Sequence, residues 1–240
     1  MSGEAVGAAY AERGFDRFPG ALGPGDVAML RLEWSRLWDE VSPGHPSVQW
    51  RGHDEQGRIA DRLDPAFPLS EELHALCRDP RLVGLAEAAL GRPAALFKDK
   101  LITKARGTHG YGLHQDYPYW ARFGAPADHL VTLQIAIDPC GLDNGALEVW
   151  PKAADVLPPA PDDPLDVDPA ALGGEPGTLV EMEAGDVFLL HPLVAHRSGT
   201  NHSADMRRTY FITYVSADYA AAARLREADL KQAGEPPVSY

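Results

Sequence analysis

Two stretches of the 240-residue chain hold the residue types that bind a catalytic metal. The first is Tyr111-Gly112-Leu113-His114-Gln115-Asp116, and the second runs from His191 to Ser198 and on to Arg207-Arg208. His114 and Asp116 are separated by one residue, and in an extended strand alternate side chains share a face. A histidine and a carboxylate could then reach one ion from a single strand. A third ligand from a neighbouring strand would complete a 2-His-1-carboxylate facial triad, which keeps positions open on one side of the ion and marks non-haem Fe(II) oxygenases. His196 is the candidate third ligand. His53 is a rival, but it lies outside the strand-rich half of the chain.

Arg207 separates the possible chemistries. An iron of this type needs electrons to reduce O₂ fully, and a 2-oxoacid bound through its carboxylate and keto oxygen can supply two of them. The far carboxylate of such an acid then needs a cation, and the planar fork of arginine suits it. Neighbouring strand residues face opposite ways, so only one of Arg207 and Arg208 can enter a pocket. Arg207 is the expected one, with Arg208 pairing with a surface acid. Two other readings stay open on the residues alone. Two histidines and an aspartate can hold Zn²⁺ in a hydrolase or isomerase and activate water. A cupin-like protein could also bind a small molecule without turnover. The hydrolase or isomerase would have no need of Arg207.

The elements that must position these residues follow from pattern. The spacing predicts a short helix ending at Gly14, since glycine commonly follows a helix C-terminus. A second helix is expected from Asp26 as N-cap to about Val41. Residues 47–69 read as loop and short strand, followed by helices over 70–77 and 80–90, the latter stopped by Gly91-Arg92-Pro93. From residue 94 the texture becomes strand-like: 95–104, 129–137, 146–150, 178–183, 186–190, 195–198 and 208–215. The Pro- and Asp-rich stretch 151–174 reads as a long surface loop, a kind that often serves as a lid. A charged helix is expected over 220–233, with Pro236-Pro237 after it. Helices first and strands afterwards suggest a β-sandwich or barrel with helices outside, in one domain.

Composition narrows the field. Lys and Arg number 22 and Asp and Glu 35, giving a net charge of −13. Such a chain without a basic block is a poor partner for nucleic acid or an anionic membrane. Two cysteines, Cys77 and Cys140, make no disulfide framework and are expected as free thiols in a reducing compartment. Met1-Ser2-Gly3-Glu4 has no signal-peptide character and no apolar run is long enough to span a membrane, so a cytoplasmic location is expected.

The segments Gly14-Phe15, Leu113-His114-Gln115-Asp116, Asp143-Asn144-Gly145-Ala146-Leu147, Ala184-Gly185-Asp186-Val187 and His196-Arg197-Ser198 through Arg207-Arg208 together resemble the phytanoyl-CoA dioxygenase family, over roughly residues 10–216. The resemblance implies a mainly β fold, a double-stranded β-helix (a cupin-like jelly roll) with N-terminal and flanking helices. The helical part would span about 7–92, the jelly-roll core about 94–216 and a C-terminal helix about 220–233. It implies Fe(II), 2-oxoglutarate and O₂ as cofactor and co-substrates. Iron would sit on His114, Asp116 and His196, and the 2-oxoglutarate C5 carboxylate on Arg207 with help from Ser198. Lys98 and Tyr111 would be further co-substrate contacts, and Lys104 occupies a position often basic in relatives. Where relatives carry a Pro-Gly-Ser-His turn, this chain reads Pro151-Lys152-Ala153-Ala154, so no contact is carried over from that turn. Related halogenases lack the carboxylate, and the presence of Asp116 argues against halogenation.

The substrate pocket is expected over the iron, walled by His109, Tyr117, Tyr119, Trp120, Trp150 and the 151–174 loop. Aromatic walls suit a polar ring substrate, such as a sugar or another natural-product scaffold met in antibiotic biosynthesis. No basic cluster near these positions suggests a coenzyme A or nucleotide handle. The expected outcome is hydroxylation, or oxidative cyclisation or orthoester formation, at an unactivated C–H of a small molecule.

Overall fold

The computed structural model describes residues 7–233. The expectations for Met1–Glu4 and Pro236-Pro237 lie outside this range. The chain begins with α1 (Gly7–Arg13), which Gly14 ends with a positive φ of 80°. Then follow β1 (Phe15–Phe18), α2 (Pro24–Glu40), β2 (Val48–His53), β3 (Gly57–Leu63), α3 (Glu71–Leu76), α4 (Pro80–Leu90) and β4 (Ala94–Lys104). The second half contains α5 (Tyr117–Trp120), β5 (Leu130–Ala136), β6 (Leu147–Val149), β7 (Thr178–Leu179), β8 (Val187–Leu190), β9 (His196–Ser198), β10 (Arg207–Ser216) and α6 (Ala220–Ala233). Two sheets form, one of seven strands in the order β1-β8-β5-β10-β4-β3-β2 and one of three, β7-β6-β9. All the pairings are antiparallel. This is the expected double-stranded β-helix with helices packed outside.

The large sheet has two chemically different faces. Its outer face carries Leu101, Leu133, Ile135, Tyr210, Ile212 and Tyr214, packed with Leu30, Leu37, Leu73 and Leu82 from α2, α3 and α4. Covering that face with helices explains why every residue of β5 is buried. The inner face is apolar at one end, where Phe15, Ala136, Val149, Phe188, Leu190 and Val194 close the two sheets together. At the other end β4 presents Lys98, Lys100, Ile102 and Lys104 on alternate positions. These pair across the sheet with Thr213, Phe211, Thr209 and Arg207 of β10, and directly opposed residues share a face. An acidic chain has therefore concentrated cations in the open end of its sandwich.

Several expectations need correction. The helical part does not stop short of the sheet, because β1, β2 and β3 from the first 63 residues are strands of the large sheet. Residues 47–69 form a hairpin, β2 and β3, whose mixed polarity comes from having one face turned into the pocket. Asp26 is not the N-cap of α2. Gly23 is, and Asp26, at the third helical position, accepts the Gly23 N–H at 2.9 Å. The 178–183 strand shrinks to Thr178–Leu179, with only a Cys140–Met182 bridge beyond it. Both cysteines are free and buried. No helix among the described residues is long and apolar enough to cross a membrane.

Candidate metal and co-substrate site

His114 and Asp116 do not occupy a regular strand, as alternation suggested. His114 forms isolated antiparallel bridges to His196 on one side and Asp166 on the other. The chain then turns, so that Asp116 has helical dihedrals (φ −71°, ψ −29°) at the start of α5, and Tyr117 N–H donates to Pro192 O at 3.0 Å. The bridge to His196 and the turn at Asp116 bring three side chains to one point. His114, Asp116 and His196 each offer a ligand atom, and these atoms lie within 4.8 Å of one another.

The imidazoles are pre-oriented. His114 Nδ1 lies 2.8 Å from Gly112 O and His196 Nδ1 lies 3.0 Å from Val194 O. A carbonyl only accepts, so each Nδ1 carries the proton and each Nε2 lone pair is left for a metal. Burial, then the neighbouring His196, pushes His114 down to about 3 despite the pull of Asp116. Burial also lowers His196. Burial raises Asp116, but Lys100 and the two histidines more than offset it, so the carboxyl stays below the usual range. Two neutral imidazoles and a carboxylate are the protonation states a divalent metal requires.

Gln115, between the two, is completely buried. Its amide donates to Leu193 O at 2.7 Å and accepts Leu157 N–H at 2.8 Å. It thereby ties the His114 segment both to the turn before His196 and to the 151–174 loop. Val167 N–H adds a bond to Leu113 O at 2.7 Å, and Val167 packs with Leu113, Trp150 and Ala195. The loop is thus pinned along the His114 segment by backbone bonds and a small apolar cluster. Sequence reasoning passed over Gln115. Its position inside the His-x-Asp pair was the available signal.

A second polar corner, where the sequence expectation places the co-substrate, is built from β9 and β10. Arg207 is 3 % exposed, while Arg208 faces out and pairs with Asp138 at 2.6 Å. Arg207 Nε is buried with no hydrogen-bond partner, as are Thr209 Oγ1 and Gln134 Oε1 of the same face. Opposite Arg207, Lys104 donates to Ser198 Oγ at 2.9 Å and to Gly199 O at 2.6 Å. Burial, then Arg207, pushes Lys104 down to about 6. Ser198 Oγ also accepts Tyr111 N–H at 3.1 Å, so its own proton is free to donate outward. Gly145, at φ 72°, lets this corner close, since a Cβ there would sit 2.3 Å from Gly199 O. A guanidinium with a free Nε–H beside a hydroxyl and the Lys104 amine fits a carboxylate.

The other expected site residues are distributed unevenly. Tyr111 donates its hydroxyl to Asp61 at 2.6 Å, and its ring lies 3.7 Å beneath the Arg51 guanidinium. Tyr119 meets the His114 ring edge-on at 6.0 Å. Lys98 faces the pocket side of the sheet but pairs with Asp64 at 3.0 Å, and Arg226 of α6 binds the same carboxylate at 2.7 Å. Trp120 packs in an apolar cluster with Phe97 and Phe123, with Tyr117 at its edge. Trp150 packs beneath the loop and donates to Glu175 O at 2.8 Å. Large indoles stay where apolar neighbours surround them, which places both tryptophans in cores. His109 is exposed and pairs with Asp54 at 2.9 Å. His53, the rival ligand, shares a separate cleft with Asp54, Arg106 and His202. Contrary to the expectation of no basic cluster, Lys100, Arg62 and Arg51 flank Tyr111 and Asp116.

Comparison with known proteins agrees with this geometry. The family model described as phytanoyl-CoA dioxygenase matches residues 10–209. The 2-aminoethylphosphonate dioxygenase of the uncultured bacterium HF130_AEPn_1 is 28% identical over 212 residues, covering 85% of this chain and 78% of that protein. The L-proline trans-4-hydroxylase of Streptomyces griseoviridis is 29% identical over 254 residues, covering 95% and 92%. The non-haem α-ketoglutarate-dependent epimerase SnoN from nogalamycin biosynthesis superposes with a TM-score of 0.72 at 25% identity, covering 90% of this chain and 81% of its own. EctD from S. alaskensis, bound to 2-oxoglutarate and 5-hydroxyectoine, shares the fold with a TM-score of 0.77 at 18% identity, covering 91% of this chain and 77% of its own. The chain belongs to the phytanoyl-CoA dioxygenase family and is an Fe(II)- and 2-oxoglutarate-dependent oxygenase.

Proposed function

For a member of that family with this site, we propose a dioxygenase that oxidises an unactivated C–H of a small polar molecule in the cytoplasm, by hydroxylation or by oxidative cyclisation or orthoester formation. His114, Asp116 and His196 hold Fe(II). Arg207, with Ser198 and Lys104, holds the far carboxylate of 2-oxoglutarate. The single observation that carries this reading is the buried, unpartnered Nε of Arg207 next to a three-ligand cluster. A hydrolytic metal site has no use for such a cation.

Bound iron and 2-oxoglutarate supply the oxidising power, using O₂ and releasing succinate and CO₂. The protein's share is position and environment. Gly112 and Val194 carbonyls hold the two Nε2 lone pairs inward, towards the Asp116 carboxylate. Ser198 and Arg207 orient the oxoacid along β10. Tyr119 and the loop pinned by Gln115 and Val167 shield the site from water.

A role in natural-product tailoring draws support from the epimerase SnoN, which acts in nogalamycin biosynthesis. The 2-aminoethylphosphonate and proline enzymes support a compact polar substrate. The decisive experiment is anaerobic addition of Fe(II) and 2-oxoglutarate. A visible charge-transfer absorption is expected, and its absence from folded protein would overturn the reading.

A further inference from the structure

The inner face holds more positive charge than iron and 2-oxoglutarate can use. Asp64 is matched by Lys98 and Arg226. Asp61 accepts Tyr111 and lies 3.7 Å from Arg51. Arg207 and Lys104 are assigned to the oxoacid, and Asp116 to the metal. Two cations are left over among the described residues, Lys100 and Arg62, and neither has a described carboxylate within ion-pair distance.

Their placement is shared. Arg62 sits directly opposite Ile102 in the β3–β4 pairing, so it lies on the same face as Lys100. The β2–β3 register slips between Gln49 and Trp50, leaving Asp61 unpaired. Such a bulge lets consecutive residues turn to one face, and both Asp61 and Arg62 meet the Tyr111 hydroxyl, at 2.6 and 3.5 Å. Arg62 Nε is buried without a partner. Lys100 Nζ lies 4.9 Å above the Phe211 ring, beside the row Phe211–Gln134 in which Gln134 Oε1 is also unpartnered. Of the charged groups around Lys100, Asp116 acts on it most strongly. Arg62 and Lys104 both stand 5.9 Å from the Tyr111 ring, so the two cations lie on the Asp116 and Tyr111 side of the inner face and adjoin the corner formed by Arg207, Lys104 and Ser198. Both residues are half-buried, and a cation partly withdrawn from water is favoured by an anion that meets it.

We propose that Lys100 and Arg62 form a second oxyanion seat, which holds a phosphonate or carboxylate group of the substrate and so aims a neighbouring C–H at the iron. The proposal rests on the functional reading above, and it narrows the polar substrate to an anionic one. A neutral sugar would leave both cations unmatched.

The test is calorimetric titration of methylphosphonate, and separately acetate, into anaerobic protein loaded with Fe(II) and saturating 2-oxoglutarate. The visible absorption of the same sample reports 2-oxoglutarate affinity independently, so loss of that signal indicts the functional reading and not the seat. Saturable binding of at least one of the two anions is expected, with no binding of the uncharged dimethyl methylphosphonate. Lys100→Met and Arg62→Met should each weaken anion binding about tenfold or more, with 2-oxoglutarate affinity changed less than about threefold. Lys100→Arg and Arg62→Lys keep the charge and should recover most of the binding, which separates loss of the seat from loss of the fold. The proposal is overturned if neither anion binds the wild type, if the neutral ester binds as well, or if the Met variants bind normally. A tenfold loss of 2-oxoglutarate affinity in Lys100→Met also overturns it, because Lys100 would then belong to the co-substrate.

Discussion

His114 and His196 exchange both backbone hydrogen bonds, each at 2.9 Å, and their ring centroids stand 4.2 Å apart. A bridge from the irregular His114 segment to the start of β9 thus holds the rings together, and Asp116 joins them from the turn that follows. The Asp116 carboxylate makes no hydrogen bond to the protein among the described residues, and the neutral His114 Nε2 lies 3.9 Å from it. It is buried without structural reward. Asp116→Ala should therefore leave the metal-free protein at least as stable as wild type. It should also cost more Fe(II) affinity than the roughly 10–100-fold seen when an outer-shell partner is removed. Iron titration alongside thermal unfolding of the metal-free protein checks both halves.

Arg207→Ala addresses the oxoacid. Hydrogen bonds to charged groups contribute about 1.5–3 kcal/mol, so 2-oxoglutarate affinity should fall by about 10- to 150-fold. Iron affinity should hold, because Arg207 touches none of the three ligands. Equilibrium titration of the visible absorption gives the first number and metal analysis the second. An unchanged 2-oxoglutarate affinity would count against the assigned anchor.

Lys98 gives the contrasting outcome. Burial raises the Asp64 carboxyl, but Lys98 and Arg226 outweigh it and keep the group ionised. Lys98→Met leaves Arg226 alone to hold that charge. Breaking a buried pair costs about 3–5 kcal/mol. The remaining partner softens this to about 2–4 kcal/mol of stability, measured by urea unfolding. Affinity for 2-oxoglutarate should stay within about twofold, the opposite of the Arg207 result.

Gln115→Leu removes the clamp between the ligand segment and the loop. It leaves Leu193 O and Leu157 N–H without their partner, at about 1–3 kcal/mol for each buried unpaired group. The loop should then open more often, and limited proteolysis should cut within 151–174 at a lower protease concentration than in wild type. Cleavage unchanged in rate and position would show that Val167 and its apolar neighbours hold the loop without Gln115.

Asp99 predicts a pH dependence away from the iron. It accepts Ala66 N–H, Phe67 N–H and the Tyr210 hydroxyl on the helix-covered face. Burial pushes it up to about 7 despite those bonds, with Asp64 adding to the rise. Its folded pKa thus lies above the unfolded value of about 3.9. Between the two the folded state retains a proton that the unfolded state has released. The stabilising contribution is full below about pH 4 and is lost as the pH rises through about 7. Asp99→Asn should flatten the fall in stability between pH 5 and pH 8 by on the order of a few kcal/mol, at about 1.4 kcal/mol per unit. Urea unfolding at the two pH values reads the difference.

Much of this protein was legible in its residues because the relevant information is local. His114-Gln115-Asp116, the Gly185 turn before a buried strand, and the two adjacent arginines announce metal chemistry and alternation over a few positions each. Helices ended at Gly14 and Gly91 and began after Ser70 and Asp79, as the local pattern implied. Where the reading failed, the cause was long-range. The mixed polarity of 47–63 made no sense as a strand pair until one face was seen to line a pocket built by β4. The aromatic walls drawn from Trp120 and Trp150 became apolar clusters, because indoles go where distant partners exclude water.

The three lysines of β4 show the division most clearly. Lys98, Lys100 and Lys104 share one face by simple alternation, and the sequence alone determined that. It could not rank them. Lys98 is taken by Asp64, which Arg226 also binds, Lys104 by Ser198 and Gly199, and Lys100 is left over Phe211. Those partners come from positions 34 residues away in the chain for Lys98, about 95 for Lys104 and 111 for Phe211. Only the pairing of β10 with β4, the bulge at Asp61 and the docking of α6 decided which cation is structural, which serves the co-substrate corner and which is free to meet a substrate.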